Sequence, residues 1–333
     1  MANGLPWILL TVIIKVKNNI LITSAGQRVA LVKDFQETLV RFFPDAKVYT
    51  TDMNPRLAPA AYVSDGCFDV PRCTSEDYIM TLLAICLDNQ IGMVVPTIDT
   101  ELAILSAHKN EFSKQGIYVL VSDYEFVMMC RDKRNTGLFF ENHGIRVPKP
   151  IDKHHPIFPL FAKPYDGSLS TNLHYIKNAE ELTESILNDP KLLFMEYIDK
   201  QVYKEYTVDM YFGRDHHVKC IVPRERIKIR AGEINKGLTE KEPLTSYLLD
   251  RLETIEGCVG CICIQLFLNS EHGDVVGIEI NPRFGGGYPQ TYAAGGNFPE
   301  YMIREYFLNE KINYFDSWKD HQLMLRYDDA VYV

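Results

Sequence analysis

The chain has 333 residues, 46% hydrophobic and 24% charged, which suits a globular protein of two or three domains and excludes disordered and collagen-like classes. A net charge of -9 argues against wholesale nucleic-acid binding, which needs a basic face to displace counterions. Eight cysteines lie in apolar runs, and the tight group Cys258, Cys261 and Cys263 has no second pair or nearby histidine to complete a zinc site. They read as reduced, buried thiols in a cytoplasmic protein.

Residues 1–18 read as an N-terminal extension of uncertain structure. The apolar run 7–14 is far too short to span a membrane, and Lys15 and Lys17 follow it instead of preceding it as in a signal peptide. From 20 to about 121, apolar strands at 20–23, 47–51, 93–96 and 118–121 alternate with helical spacing over 29–42, 78–87 and 101–112. Strand, helix, strand in series predicts a parallel sheet with helices on both faces, and ligands at the strand C-terminal ends. At the first of these ends, Ser24, Gly26 and Arg28 suggest an anion site, against the alternative of an ordinary helix start. A dinucleotide reading fails because G-x-G-x-x-G is absent.

A polar, proline-bounded segment at 152–156 marks a change of organisation. Beyond it, strands come as neighbours: 158–163 with 172–177, then 192–197, 206–212 with 217–223, and 261–268 with 275–281. The short connections 213–216 and 269–274 predict antiparallel hairpins. The expected fold class is therefore α/β followed by α+β.

Four stretches of this second half carry chemistry. Residues 161–170 place Lys163 at a strand end before a loop holding Gly167, Ser168 and Ser170, whose N–H groups can fold over phosphates while the lysine neutralises them. A plain hairpin turn is the alternative. Residues 192–198 are apolar except for Glu196; such a strand end offers backbone groups to an adenine edge, and Glu205 a carboxylate to ribose hydroxyls. In 223–233, Arg224, Arg226, Lys228 and Arg230 alternate onto one strand face. In 275–283, Glu279, Asn281 and, if the chain stays extended, Arg283 share a face able to hold a hard metal ion beside a phosphate. A polar edge strand running into a turn is the bland reading.

Taken in order, "ILITSAGQRVALV", "PTIDTELAIL", "DKRNT", "FAKPYDGSLS", "FMEYI", "KEYTVDM" and "EINPRFGGG" resemble the ATP-grasp superfamily, most closely single-unit proteins similar to one half of the carbamoyl-phosphate synthase large subunit. The resemblance implies a Rossmann-like pre-ATP-grasp domain at 19–121, a central lid subdomain at 122–200 and a C-terminal subdomain at 201–333 with antiparallel sheets. It implies ATP and Mg²⁺ (or Mn²⁺) as cofactors. Lys133 and Lys163 would contact phosphates together with Ser168 and Ser170. Glu196, Tyr197 and Ile198 would form the adenine hinge, with Glu205 on the ribose. Gln265, Glu279 and Asn281 would hold the metal, and Arg283 and Lys163 would act at the transferred phosphoryl group. One or two of the basic residues of 224–230, Arg226 among them, would meet the γ-phosphate or a substrate anion. Gln265 stands where many members have a carboxylate, so metal affinity without nucleotide should be weak.

The chemistry implied is activation of a small-molecule carboxylate as an acyl phosphate and its capture by an amine, with no nucleic acid or membrane involved, by a chain that could pair as a homodimer. A single unit without a glutaminase argues against carbamoyl phosphate synthesis itself. An ATP or ADP sensor without ligase activity, and a phosphotransferase releasing a phosphorylated product, stay open as alternatives.

Overall fold

The computed structural model describes residues 17–167, 172–230 and 232–333. The expected extension, through residue 16, and the loop residues Ser168 and Ser170 lie outside them. Strands β1 (Asn19–Thr23), β2 (Val48–Asp52), β3 (Cys67–Asp69), β4 (Ile91–Pro96) and β5 (Tyr118–Val119) form a parallel sheet in the order β3-β2-β1-β4-β5. Helices Val29–Phe42, Tyr78–Asp88 and Asp99–Ser113 make the crossovers. This is the doubly wound arrangement that the alternating pattern predicts, and it places the ends of β1 and β4 side by side at the switch point. The short edge strand β3 gave no sequence signal, since its three residues are only half-buried or exposed.

A second, three-stranded antiparallel sheet has the order β7-β6-β8, from β6 (Leu160–Pro164), β7 (His174–Ile176) and β8 (Leu192–Glu196). The third sheet is six-stranded and antiparallel throughout, in the order β13-β12-β9-β10-β11-β14. Its strands are β9 (Lys204–Phe212), β10 (Val218–Arg230), β11 (Glu233–Thr239), β12 (Gly260–Leu268), β13 (Val275–Asn281) and β14 (Leu323–Leu325). Strand alternation separates the polar from the apolar residues of β9, β12 and β13, although Ile278 and Ile280 also border the cleft. Tyr206, Val208, Met210, Ile262, Ile264 and Ile280 pack into a core with helix Leu244–Leu252, while Glu205, Thr207, Cys263, Gln265, Glu279 and Asn281 line a cleft on the other face. All eight cysteines are free thiols.

Aromatic and aliphatic packing ties the first sheet to the third. The helix Val29–Phe42 shares a core with Phe284, Tyr288, Phe298 and Met302, including an edge-on contact of Phe35 with Phe284 at 5.7 Å between ring centres. That contact fixes the residue next to Arg283 against the parallel sheet. Below the switch point, Glu101 is fully buried and accepts hydrogen bonds from the Thr23 hydroxyl at 2.8 Å, Ser24 at 3.0 Å, Tyr78 at 2.8 Å and the Thr97 N–H at 3.1 Å. Burial raises its pKa, opposed by these bonds. The Ser24 hydroxyl is therefore spent inside the fold, and Arg28 donates to the Thr97 carbonyl at 3.1 Å. The compact anion site expected from Ser24, Gly26 and Arg28 is not formed.

Glu101→Ala leaves three buried donors and the half-buried Ser24 hydroxyl without their acceptor and is expected to lower unfolding stability by about 3 kcal/mol or more. Denaturant unfolding reads this directly, and a loss below about 1 kcal/mol would show the network to be dispensable.

Candidate functional site

A cleft of about 570 Å³ runs between the three-stranded sheet and the open face of the six-stranded sheet, within the roughly 300–1,000 Å³ usual for small-molecule sites. One wall comes from β6, from β8 with its last residue Glu196, and from Tyr197 and Ile198 after it; the floor comes from β9, β12 and β13; Asp99, the first residue of the helix after β4, closes one end.

Register explains the floor. Gln265 of β12 lies between Thr207 of β9 and Glu279 of β13, and Cys263 lies between Asp209 and Asn281. Glu279 and Asn281 thus face the cleft together, as their alternate spacing predicts, and Gln265 joins them as the family resemblance implies. Gln265 donates from Nε2 to Glu205 at 2.6 Å, which leaves its amide oxygen for another partner. Asn281 donates to Glu279 at 3.2 Å. A set of one carboxylate and two amides carries little charge, so it suits a hard cation whose other ligands arrive with a phosphate, and no cluster of three acidic, histidine or cysteine ligands occurs among the described residues.

Opposite this set stand two lysines. Lys133 opens the helix Lys133–Asn142, capped by the Asp132 side chain on Arg134 N, and its Nζ lies 3.6 Å from Glu279. The Lys133 N–H also donates to the Tyr165 carbonyl at 2.9 Å, which fixes the helix start to the end of β6. Lys163, on β6, is 7% exposed, with Nζ 3.5 Å from the Ile278 carbonyl. Burial pushes its pKa down to about 8, Glu279 opposes the shift and Lys133 adds repulsion. Two ammonium groups held near one carboxylate form an environment that a polyanion would complete.

At the hinge end, Glu196 accepts from Arg146 Nη2 at 2.5 and 2.7 Å and from the Lys149 N–H at 3.1 Å. Arg146 also approaches Asp274 at 3.4 Å, so one guanidinium joins β8 to the β12–β13 hairpin. Glu205 is buried and pairs with Lys200 at 2.8 Å and Arg226 at 3.1 Å besides Gln265. Arg226 also donates to Thr207 at 3.1 Å and to the Gly232 carbonyl at 2.9 Å, holding the β10–β11 tip over the cleft.

The basic run behaves differently from a uniform strand face. Register shifts between Arg226 and Ile229 break the alternation, so Arg226 and Ile229 line the cleft while Lys228 and Arg230 do not. Arg230 is exposed and paired with Asp328. Arg224 is fully buried against Asp209 at 2.9 Å, behind Gly287. Arg283 also departs from the simple strand reading: β13 ends at Asn281, and a turn closed by Arg283 N–H on the Asn281 carbonyl at 2.8 Å carries the side chain onward. Its guanidinium still reaches the cleft, held by Asp99 at 2.8 and 3.1 Å and by the Asn281 oxygen at 3.3 Å. Burial disfavours its charge, but Asp99 more than offsets this and raises the pKa above the ordinary arginine value. Asp99 and Arg146 carried no role in the sequence reading; the signal for Asp99 was its place at the end of β4, where parallel sheets put ligand contacts.

Comparison with known proteins agrees with this geometry. Residues 20–120 match the family described as PylC-like, N-terminal domain, and residues 188–327 match ATP-grasp in the biosynthetic pathway with Ter operon. No curated protein sequence matches the chain. Among solved structures, the chain is similar to the biotin carboxylase domain of Hydrogenobacter thermophilus 2-oxoglutarate carboxylase, a dimer in complex with MgADP, ADP and bicarbonate, with 12% identity, 92% of this chain and 73% of that one covered, and a TM-score of 0.68. It is also similar to the Staphylococcus aureus N5-carboxyaminoimidazole synthetase complexed with ADP, at 14% identity, 92% and 79% coverage and a TM-score of 0.66. The L-amino acid ligase of Bacillus licheniformis matches at 16% identity, 86% and 73% coverage and a TM-score of 0.64. The chain therefore has the fold of these structures, with a PylC-like match over its N-terminal part and an ATP-grasp match over residues 188–327. The likeness to carbamoyl-phosphate synthase is looser than the one to these families.

Lys163 offers a test of the site's charge. A bound polyanion favours its protonated form, so between about pH 8 and 10, where the free protein holds it partly neutral, binding of Mg²⁺ and the ATP analogue AMP-PNP should take up protons. Calorimetry in two buffers of different ionisation enthalpy measures the uptake, and Lys163→Met should remove it.

Proposed function

We propose that the protein is an ATP- and Mg²⁺-dependent ligase that activates a small-molecule carboxylate as an acyl phosphate and passes the acyl group to an amine. The observation that carries this reading is the convergence of Lys133, Lys163, Gln265, Glu279, Asn281 and Arg283 on one cleft of an ATP-grasp fold. The ADP, MgADP and ligase descriptions of the similar structures support it.

Adenine sits at the Glu196 to Ile198 hinge, with Glu205 toward the ribose. Lys133 and Lys163 neutralise the phosphates, and Arg226 lies near the γ-phosphate beneath the β10–β11 tip. Gln265, Glu279 and Asn281 would hold Mg²⁺, which would screen charge on the phosphates and on the group in transfer. Arg283, kept charged and oriented by Asp99, faces the carboxylate. A carboxylate oxygen attacks the γ-phosphorus and the bond to the ADP oxygen breaks; the amine nitrogen then attacks the acyl carbon, phosphate leaves, and the amine proton passes to solvent or to phosphate. No side-chain nucleophile is needed, so the protein's contribution is position and charge.

The deciding experiment measures ADP and phosphate release from Mg-ATP across a panel of carboxylates, each with and without an amine. Turnover that requires both partners is expected. Turnover with a carboxylate alone, giving a stable phosphorylated product, would make the protein a phosphotransferase. Glu279→Gln and Lys163→Ala should each lower turnover by about 100-fold or more while the protein stays folded by circular dichroism. Near wild-type turnover in both variants would remove this assignment.

A further inference from the structure

Between the helix Lys133–Asn142 and β6 the chain crosses from one sheet to another, and Arg146 is bonded to both. Its main chain forms a parallel bridge with Val276 of β13, and its carbonyl accepts the Gly277 N–H at 2.8 Å. A little further on, the Lys149 carbonyl accepts the Glu196 N–H at 2.8 Å and the Ile151 N–H donates to the Phe194 carbonyl at 2.9 Å, so the same segment runs along β8. The Arg146 side chain spans the gap. Its Nη2 donates to both Glu196 oxygens at 2.5 and 2.7 Å, and its Nη1 lies 3.4 Å from Asp274, which also accepts from the Tyr203 hydroxyl at 2.7 Å. Arg146, Glu196 and Asp274 have side chains 28%, 32% and 35% exposed, so solvent screens these pairs only in part.

The residues that follow Glu196 are the ones this grip controls. Tyr197 and Ile198 line the cleft but lie beyond the β6–β8 register, which ends at the Leu160–Glu196 pair. A main-chain N–H or carbonyl recognises a base edge through distance and direction, so a base read there is read only as well as Glu196 is held. A guanidinium suits the task, since its planar fork holds a carboxylate in one orientation. At its other end the same residue is bonded to β13, the strand that carries Glu279 and Asn281. We propose that Arg146 is a positioning residue for the nucleotide, a strut that sets the base hinge at a fixed span from the metal strand and thereby governs selection of the base. This rests on the placing of adenine at the Glu196 to Ile198 hinge in the proposed function. Neither Arg146 nor Asp274 lines the cleft, so their influence on the base passes through Glu196.

Calorimetry on the full chain with Mg²⁺ and either AMP-PNP or GMP-PNP tests it. The wild type should bind AMP-PNP at least about 30-fold more tightly than GMP-PNP, and Arg146→Met should reduce that preference about tenfold or more. A role confined to stability would lower the melting temperature and leave the preference alone. Glu196→Gln should act in the same direction, and the double variant should be no worse than the weaker-binding single, because both remove one contact. Asp274→Asn, a change on the hairpin outside the cleft, should reduce the preference about threefold. A wild type indifferent to the base, a preference unchanged in Arg146→Met, or additive losses in the double variant would each overturn the strut. If Arg146→Met does not fold, Asp274→Asn decides, and a preference unchanged there overturns it. Wild-type protein that binds neither nucleotide would instead overturn the ATP reading itself.

Discussion

The arrangement of the cleft depends on a charge imbalance set by strand register. Gln265 opposite Glu279 puts an amide where a second carboxylate would balance the nearby ammonium groups, leaving Glu279 alone before Lys133 and Lys163. Lys163 is buried there at a cost that appears as its lowered pKa. A pair of cations and one anion in a partly dry cleft is a poor site for a bare metal and a good one for a metal that travels with phosphates. The parallel sheet, the three-stranded sheet and the six-stranded sheet can be read as the frame that holds this imbalance in place.

Asp99 extends the same logic across the molecule. It stands at the start of a helix on the parallel sheet, yet its carboxylate grips Arg283 from the far side of the cleft. The neighbouring contact of Phe35 with Phe284 supplies apolar packing at the same junction. Charge and packing therefore register the two halves of the chain to each other where the carboxylate is expected to react. Arg146 plays a comparable part at the hinge, joining Glu196 to Asp274.

Much of this was legible in the sequence because it obeys short-range periodicity. Period-two alternation in β13 predicted that Glu279 and Asn281 would share a face, the family resemblance added Gln265, and the crossover pattern from 20 to 121 predicted the parallel sheet. What failed to show were features that periodicity does not encode. A bulge between Arg226 and Ile229 turned Lys228 and Arg230 away from the cleft, and Asp209 on another strand engaged Arg224 in a buried ion pair at the cleft wall. Ser24 looked like a ligand until Glu101, 77 residues away, claimed its hydroxyl. Arg146 enters the site only through tertiary packing against Glu196, which leaves no local signature.

The most direct test of the charge argument is calorimetry of Mg²⁺ alone, AMP-PNP alone and the two together. The account predicts no measurable Mg²⁺ binding without nucleotide, weak nucleotide binding without Mg²⁺, and strong mutual enhancement when both are present, lost in Glu279→Gln. Tight binding of Mg²⁺ by itself, or AMP-PNP affinity indifferent to both Mg²⁺ and Glu279, would contradict it.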